Sequence, residues 1–105
     1  MSDLLGLLGL GVRSRSVVVG TDRVREALQR SEVRCVVMAA DASPRATEKV
    51  LRLAQARSVP VITGPDAATL GARLGKPPVM AVGVCNAALA AGIVRQGAGQ
   101  SVTEA

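Results

Sequence analysis

The chain has no Phe, Trp, Tyr or His among its 105 residues. Without aromatic rings it cannot stack bases in the manner of RRM or OB-type sheets. Any contact with nucleic acid must then rest on phosphate, helix ends and arginine. Without histidine the usual general base and metal ligand are missing, and a nucleophile would need a Lys or carboxylate base. Cysteine is scarce as well. Cys35 and Cys85 lie far apart in or beside apolar runs, a pattern of buried free thiols with no metal-ligand spacing. No run is long enough to span a bilayer. The apolar start, Leu4 to Leu10, follows Asp3 and has neither a basic n-region nor a cleavage site, so a cytoplasmic location is the expectation.

What is present is aliphatic and basic. Hydrophobic residues make up 49% of the chain, mean hydropathy is +0.33, and the core must be built from Val, Leu, Ala, Ile and Met. The length fits one domain, expected over residues 1–95, with a flexible polar tail over 96–105. The net charge is +5. Residues 13–57 hold ten basic and five acidic groups, while the rest of the chain is balanced. Eleven of the 13 cations are Arg, which can fork onto phosphate or a guanine edge. Such asymmetry favours an anionic partner. The alternative is a surface that simply writes its charges as Arg.

Apolar periodicity gives five helices alternating with four strands. The helices are expected at 4–11, 21–31, 44–57, 66–74 and 86–95. The strands are expected at 16–19, 35–39, 60–63 and 79–84. Ser43 before Pro44 and Asn86 before Ala87 are helix-start signals. Val24, Ala27, Leu28 and Ser31 share one face of the second helix, and Val50, Leu51, Leu53 and Ala54 form the buried side of the third. Helices alternating with buried strands imply an α/β fold, a three-layer α/β/α sandwich.

The most informative stretch is Gly20-Thr21-Asp22-Arg23-Val24-Arg25-Glu26, directly after Val17-Val18-Val19. A strand ends at Gly20 and a helix starts at Thr21. A glycine there admits a ligand close to the backbone, and the exposed N–H groups of the helix start suit phosphate. Arg23 and Arg25 lie in the first turn. The rival reading is an ordinary βα turn with solvated charges. Gly71-Ala72-Arg73-Leu74-Gly75-Lys76-Pro77 is not a P-loop, since its glycine spacing is one short and Pro77 replaces the required Ser or Thr. Asp22, Glu26 and Asp41 have no pairing pattern and read as solvated charges. Neither a catalytic site nor a cofactor or metal is expected.

Leu7-Leu8-Gly9-Leu10, Val18-Val19-Gly20-Thr21, Val36 to Ser43, Val59-Pro60-Val61, Leu70 to Lys76 and Ala81-Val82 occur in a distinctive order. That order resembles the kink-turn RNA-binding family of large-subunit ribosomal proteins, especially its small bacterial relatives, from Leu4 to Val94. The resemblance implies a four-stranded mixed sheet within the sandwich. It also implies a non-catalytic RNA-binding protein. The start of its second helix would enter the groove of a kinked duplex at tandem G·A pairs, and a loop before the last strand would cover a flipped nucleotide. Gly20 and Thr21 match the family pattern. Asp22 stands where Asn is usual, Arg23 where Glu is usual and Glu26 where Lys is usual. Lys76, Pro77, Pro78 and Val79 match the covering loop, Arg13 matches a basic position, and Arg15 and Ser16 replace a Gly-Lys pair. Arg23 could take over a guanine edge and Arg25 a phosphate. The implied partners are a kink-turn or ribosomal RNA and the ribosome, bound by a monomer without a membrane. The alternative is a ribosome-associated or protein-interaction module that keeps the fold without tight kink-turn binding.

Overall fold

The strand that carries Cys35, Val36, Val37 and Met38 sits inside the sheet, and all four residues are buried. A computed structural model of the chain describes residues 4–96. In chain order these form α1 (Leu4–Arg13), β1 (Val17–Val19), α2 (Thr21–Gln29), β2 (Cys35–Met38) and α3 (Pro44–Ala56). β3 (Val61–Thr63), α4 (Ala67–Leu74), β4 (Ala81–Val84) and α5 (Ala87–Gln96) follow. The sheet order is β1-β4-β2-β3. β2 runs parallel to β3 across the α3 crossover, with Val36 opposite Val61. β4 runs antiparallel to both its neighbours, with Val84 opposite Val17 and Cys35. The sheet is therefore mixed, as the resemblance implied.

Strand alternation divides the core into two layers. Cys35, Val37, Ile62, Val82 and Val84 face α1, α4 and α5 and meet Leu8, Leu70 and Ile93. Val36, Met38, Val61 and Ala81 face α2 and α3 and meet Val24, Leu28 and Val50. This is the expected α/β/α sandwich, built from aliphatic side chains.

Several local expectations are corrected. α2 ends at Gln29, and Ser31 is exposed with φ 59°, so it is not on the buried helix face. The turn is closed by Ser31 and Glu32 N–H groups donating to the Leu28 and Ala27 carbonyls. On α3 only Val50 and Ala54 are fully buried, and Leu51 and Leu53 are half-buried at the rim. β4 starts at Ala81, two residues later than expected. The Val79 N–H donates to the Ala67 carbonyl instead of a strand, which ties the preceding loop to α4. α5 reaches Gln96, and the rest of the expected tail lies outside the described residues. Both thiols are free, but only Cys35 is fully buried. Burial, and secondarily the neighbouring Cys85, push the Cys35 thiol up to about 12.

Candidate nucleic-acid interface

Four helices have described starts, and three of them are capped by side chains. Ser43 Oγ accepts from the Ala46 N–H at 3.2 Å on α3, and Asn86 Oδ1 accepts from the Leu89 N–H at 2.9 Å on α5. α4 has two caps. Asp66 accepts from the Thr69 N–H at 2.8 Å, and Asp41, 26 residues from Ala67 and under no local rule, accepts from the Ala67 N–H at 2.8 Å. Asp41 is thus a structural cap and not merely a solvated charge. Hydrogen bonds from the Thr69 hydroxyl and then its N–H hold the exposed Asp66 carboxyl below its ordinary range. That contribution is present above the ordinary carboxylate pKa and fades as pH falls through the lowered one.

α2 differs. Its N-cap is Gly20, with φ 107° and ψ 146°, and no side chain caps it. That backbone conformation is open to glycine and strained for other residues. The Gly20 N–H donates to the Ala81 carbonyl at 2.9 Å, which pins the end of β1 to β4. The first-turn N–H groups of α2 therefore face outward without an internal acceptor, together with the positive end of the helix dipole.

Arg15, Arg23 and Lys76 come together here. They rim a hollow of about 280 Å³ whose floor is Val12 and the β1 valines. Among the described residues no carboxylate lines it. Five segments supply this hollow: the end of α1, the turn after it, β1, the start of α2 and the α4–β4 loop. An apolar floor under these three exposed cations focuses their field outward, where salt still screens it. Arg15 holds φ 58° in the turn after α1.

The other expected residues are distributed around this hollow. Thr21 is half-buried, and Asp22 is exposed in the first turn. The Asp22 carboxylate is 3.9 Å from Arg25, a long i,i+3 pair with Asp22 93% exposed. Arg25 is half-buried on the opposite side of α2 from Arg23, and its Nε is sequestered without a hydrogen-bond partner. Glu26 shares a second depression with Arg23, Arg30 and Glu32, away from Lys76. Arg13 lines a different cleft, between α1 and α4. Pro77 and Pro78 are exposed, whereas the Val79 side chain is buried and cannot present a surface.

The position of Lys76 depends on Gly71, a dependence the sequence did not reveal. Gly71 is buried on α4, and a methyl there would run into the carbonyl oxygens of Pro77 and Lys76. The Lys76 N–H donates to the Gly71 carbonyl at 2.8 Å, so the loop folds back directly onto the helix. Ala at position 71 would favour the helix by about 0.5–1 kcal/mol. The atoms it meets are backbone, however, and overpacking costs about 1–3 kcal/mol. Gly71→Ala is therefore expected to lower stability and displace Lys76. Urea unfolding checks this, and a stability equal to or above wild type would contradict the close approach.

A small α/β/α domain thus carries an uncapped second-helix start and an adjoining basic hollow. The chain belongs to the Ribosomal protein L7Ae/L30e/S12e/Gadd45 family, whose sequence model matches residues 2–94. It is 33% identical over 63 residues to an RNA-binding protein of Bacillus pumilus (strain SAFR-032), an alignment spanning 60% of this chain and 77% of that one. It is 35% identical, over the same shares, to RNA-binding protein BH0128 of Halalkalibacterium halodurans. Among solved structures, a protein of unknown function from Bacillus halodurans C has a TM-score of 0.86 at 27% identity, covering 91% of this chain and 97% of that one. The Giardia lamblia 15.5kD RNA binding protein has a TM-score of 0.75 at 22% identity, covering 91% and 85%, a likeness of fold.

Proposed function

We propose that this protein is a non-catalytic, cytoplasmic RNA-binding protein that recognises a kinked RNA, in a kink-turn or ribosomal RNA, as a monomer. The uncapped start of α2 would meet the RNA backbone, with Arg15, Arg23 and Lys76 on its phosphates. The observation that carries this reading is the convergence of Arg15, Arg23 and Lys76 on one hollow beside that helix start, which no carboxylate among the described residues lines. Two curated relatives named as RNA-binding proteins support it. In the absence of aromatic rings, the β1 valines would give an apolar seat to a ribose or base while the cations hold phosphate.

A phosphate-led interface has a measurable signature. Affinity falls with salt by a slope of about 0.7–0.9 for each phosphate neutralised. The three cations of the hollow then give a slope of about −2 to −3. Arg23→Ala is expected to weaken binding to a kinked RNA and to reduce the slope by about one. Titrations by fluorescence anisotropy at several salt concentrations measure both. Affinity that is flat in salt would contradict the proposal.

One observation favours a second reading, a ribosome-associated or protein-interaction module without tight kink-turn binding. Asp22 is almost fully exposed in the first turn of α2, where an incoming phosphate would meet it. It serves the helix dipole and repels the ligand. Selectivity between kinked and straight RNA separates the two readings.

A further inference from the structure

Arg13 and Arg73 line a cleft of about 500 Å³ between α1 and α4, together with Gly9, Leu10, Val12 and Gly75. Val12 also floors the hollow of Arg15, Arg23 and Lys76, and Gly75 directly precedes Lys76, so the two depressions adjoin. No carboxylate among the described residues lines the cleft or forms an ion pair with Arg13 or Arg73. Leu10 is 53% exposed, an unusual exposure for a large aliphatic residue in this chain. The molecule thus carries one basic track from the start of α2, past Lys76, into the α1–α4 cleft.

We infer that the α1–α4 cleft is a second RNA subsite, holding the single-stranded nucleotides that flank the kinked element. Arg13 and Arg73 take their phosphates, and Leu10 gives an apolar contact to a ribose or base. Charge complementarity and continuity with the first hollow select an RNA strand as the occupant. The inference rests on the RNA-binding reading above and extends its footprint from three cations to five.

The test uses the full chain and two RNAs: a kink-turn trimmed to its duplex arms, and the same kink-turn with a single-stranded extension of several nucleotides. Wild type is expected to bind the extended RNA at least about threefold more tightly. Its salt slope should be steeper by about 1.4, for two phosphates of a single strand at about 0.7 each. Arg73→Gln should remove about half of the added slope on the extended RNA and leave the trimmed RNA unaffected. Gly9→Glu places a carboxylate at the cleft without a steric cost, because a Cβ there meets nothing within 4 Å. It should abolish the gain from the extension, whereas Gly9→Gln should keep it. Circular dichroism melts confirm that the variants fold.

Equal binding of the two RNAs by wild type, with the trimmed RNA bound, overturns the second subsite and leaves the first reading intact. So does an Arg73→Gln loss of the same size on both RNAs. Failure of wild type to bind either RNA overturns the first reading and the subsite with it.

Discussion

Changing Asp22 to Asn and Glu26 to Lys together is expected to raise affinity for a kinked RNA by at least tenfold. The double change removes two negative charges, adds one positive charge and restores an amide donor in the first turn of α2. The amide donor restored by Asp22→Asn is worth about 1–3 kcal/mol if it makes a good base contact, and Glu26→Lys, in the neighbouring depression, acts through charge. Asp22 has little to lose structurally. Its pair with Arg25 spans 3.9 Å with Asp22 nearly fully exposed, and such pairs contribute about 0–1 kcal/mol. Its favourable position on the helix dipole is worth about 0.3–1 kcal/mol. Stability should therefore fall slightly while affinity rises. A merely structural change would not produce opposite signs. The gain should be larger on an intact kink-turn than on a plain duplex, measured side by side by gel shift. Equal gains would show a charge effect alone and would favour the protein-interaction reading.

Leu70→Ala is expected to cost about 2–5 kcal/mol, a large part of the 5–15 kcal/mol that stabilises a typical domain. Leu70 is wholly buried against the sheet, in one cluster with Ile62, Leu74 and Val79. The chain has no aromatic residue, so no neighbouring ring is available to swing into the space. α4 also bears Arg73 and supports the Lys76 loop, so affinity should drop with stability. Urea unfolding gives the cost as a shift in midpoint at unchanged slope. A change within about 0.5 kcal/mol, the size usual at surface positions, would mean that α4 is not docked as described.

Much of the fold was legible because its signals are local. Val17-Val18-Val19 before Gly20, the Ser43-Pro44 start and Asn86 each act within a few residues, and each does in the structure what its chemistry predicts. The continuous apolar run of β2 announced a strand covered on both faces. Helix ends were less legible. The residues after Gln29 close a turn with Ser31 in the left-handed region, a choice made by backbone hydrogen bonds with no Gly to mark it.

The site was legible only in part. The helix start and the basic residues stood out as types. That Arg15, Arg23 and Lys76 meet while Glu26 turns to another depression depends on how α1, β1, α2 and the α4–β4 loop are brought together. Asp41 capping α4 and Gly71 receiving the Pro77 backbone are tertiary contacts with no sequence spacing to betray them. Val79 illustrates the same limit. The loop pattern marked it for the interface, and the packing of the loop on α4 buried its side chain.

The uncapped start of α2 and its adjoining hollow are proposed to recognise the shape of a kinked RNA. The most direct measurement is the affinity of the wild-type chain for a generic kink-turn beside the same RNA with its tandem G·A pairs replaced by Watson–Crick pairs. Both are titrated at one physiological salt concentration. Binding to the intact kink-turn is expected to be at least tenfold tighter than to the disrupted one. Equal affinity for the two RNAs would contradict it.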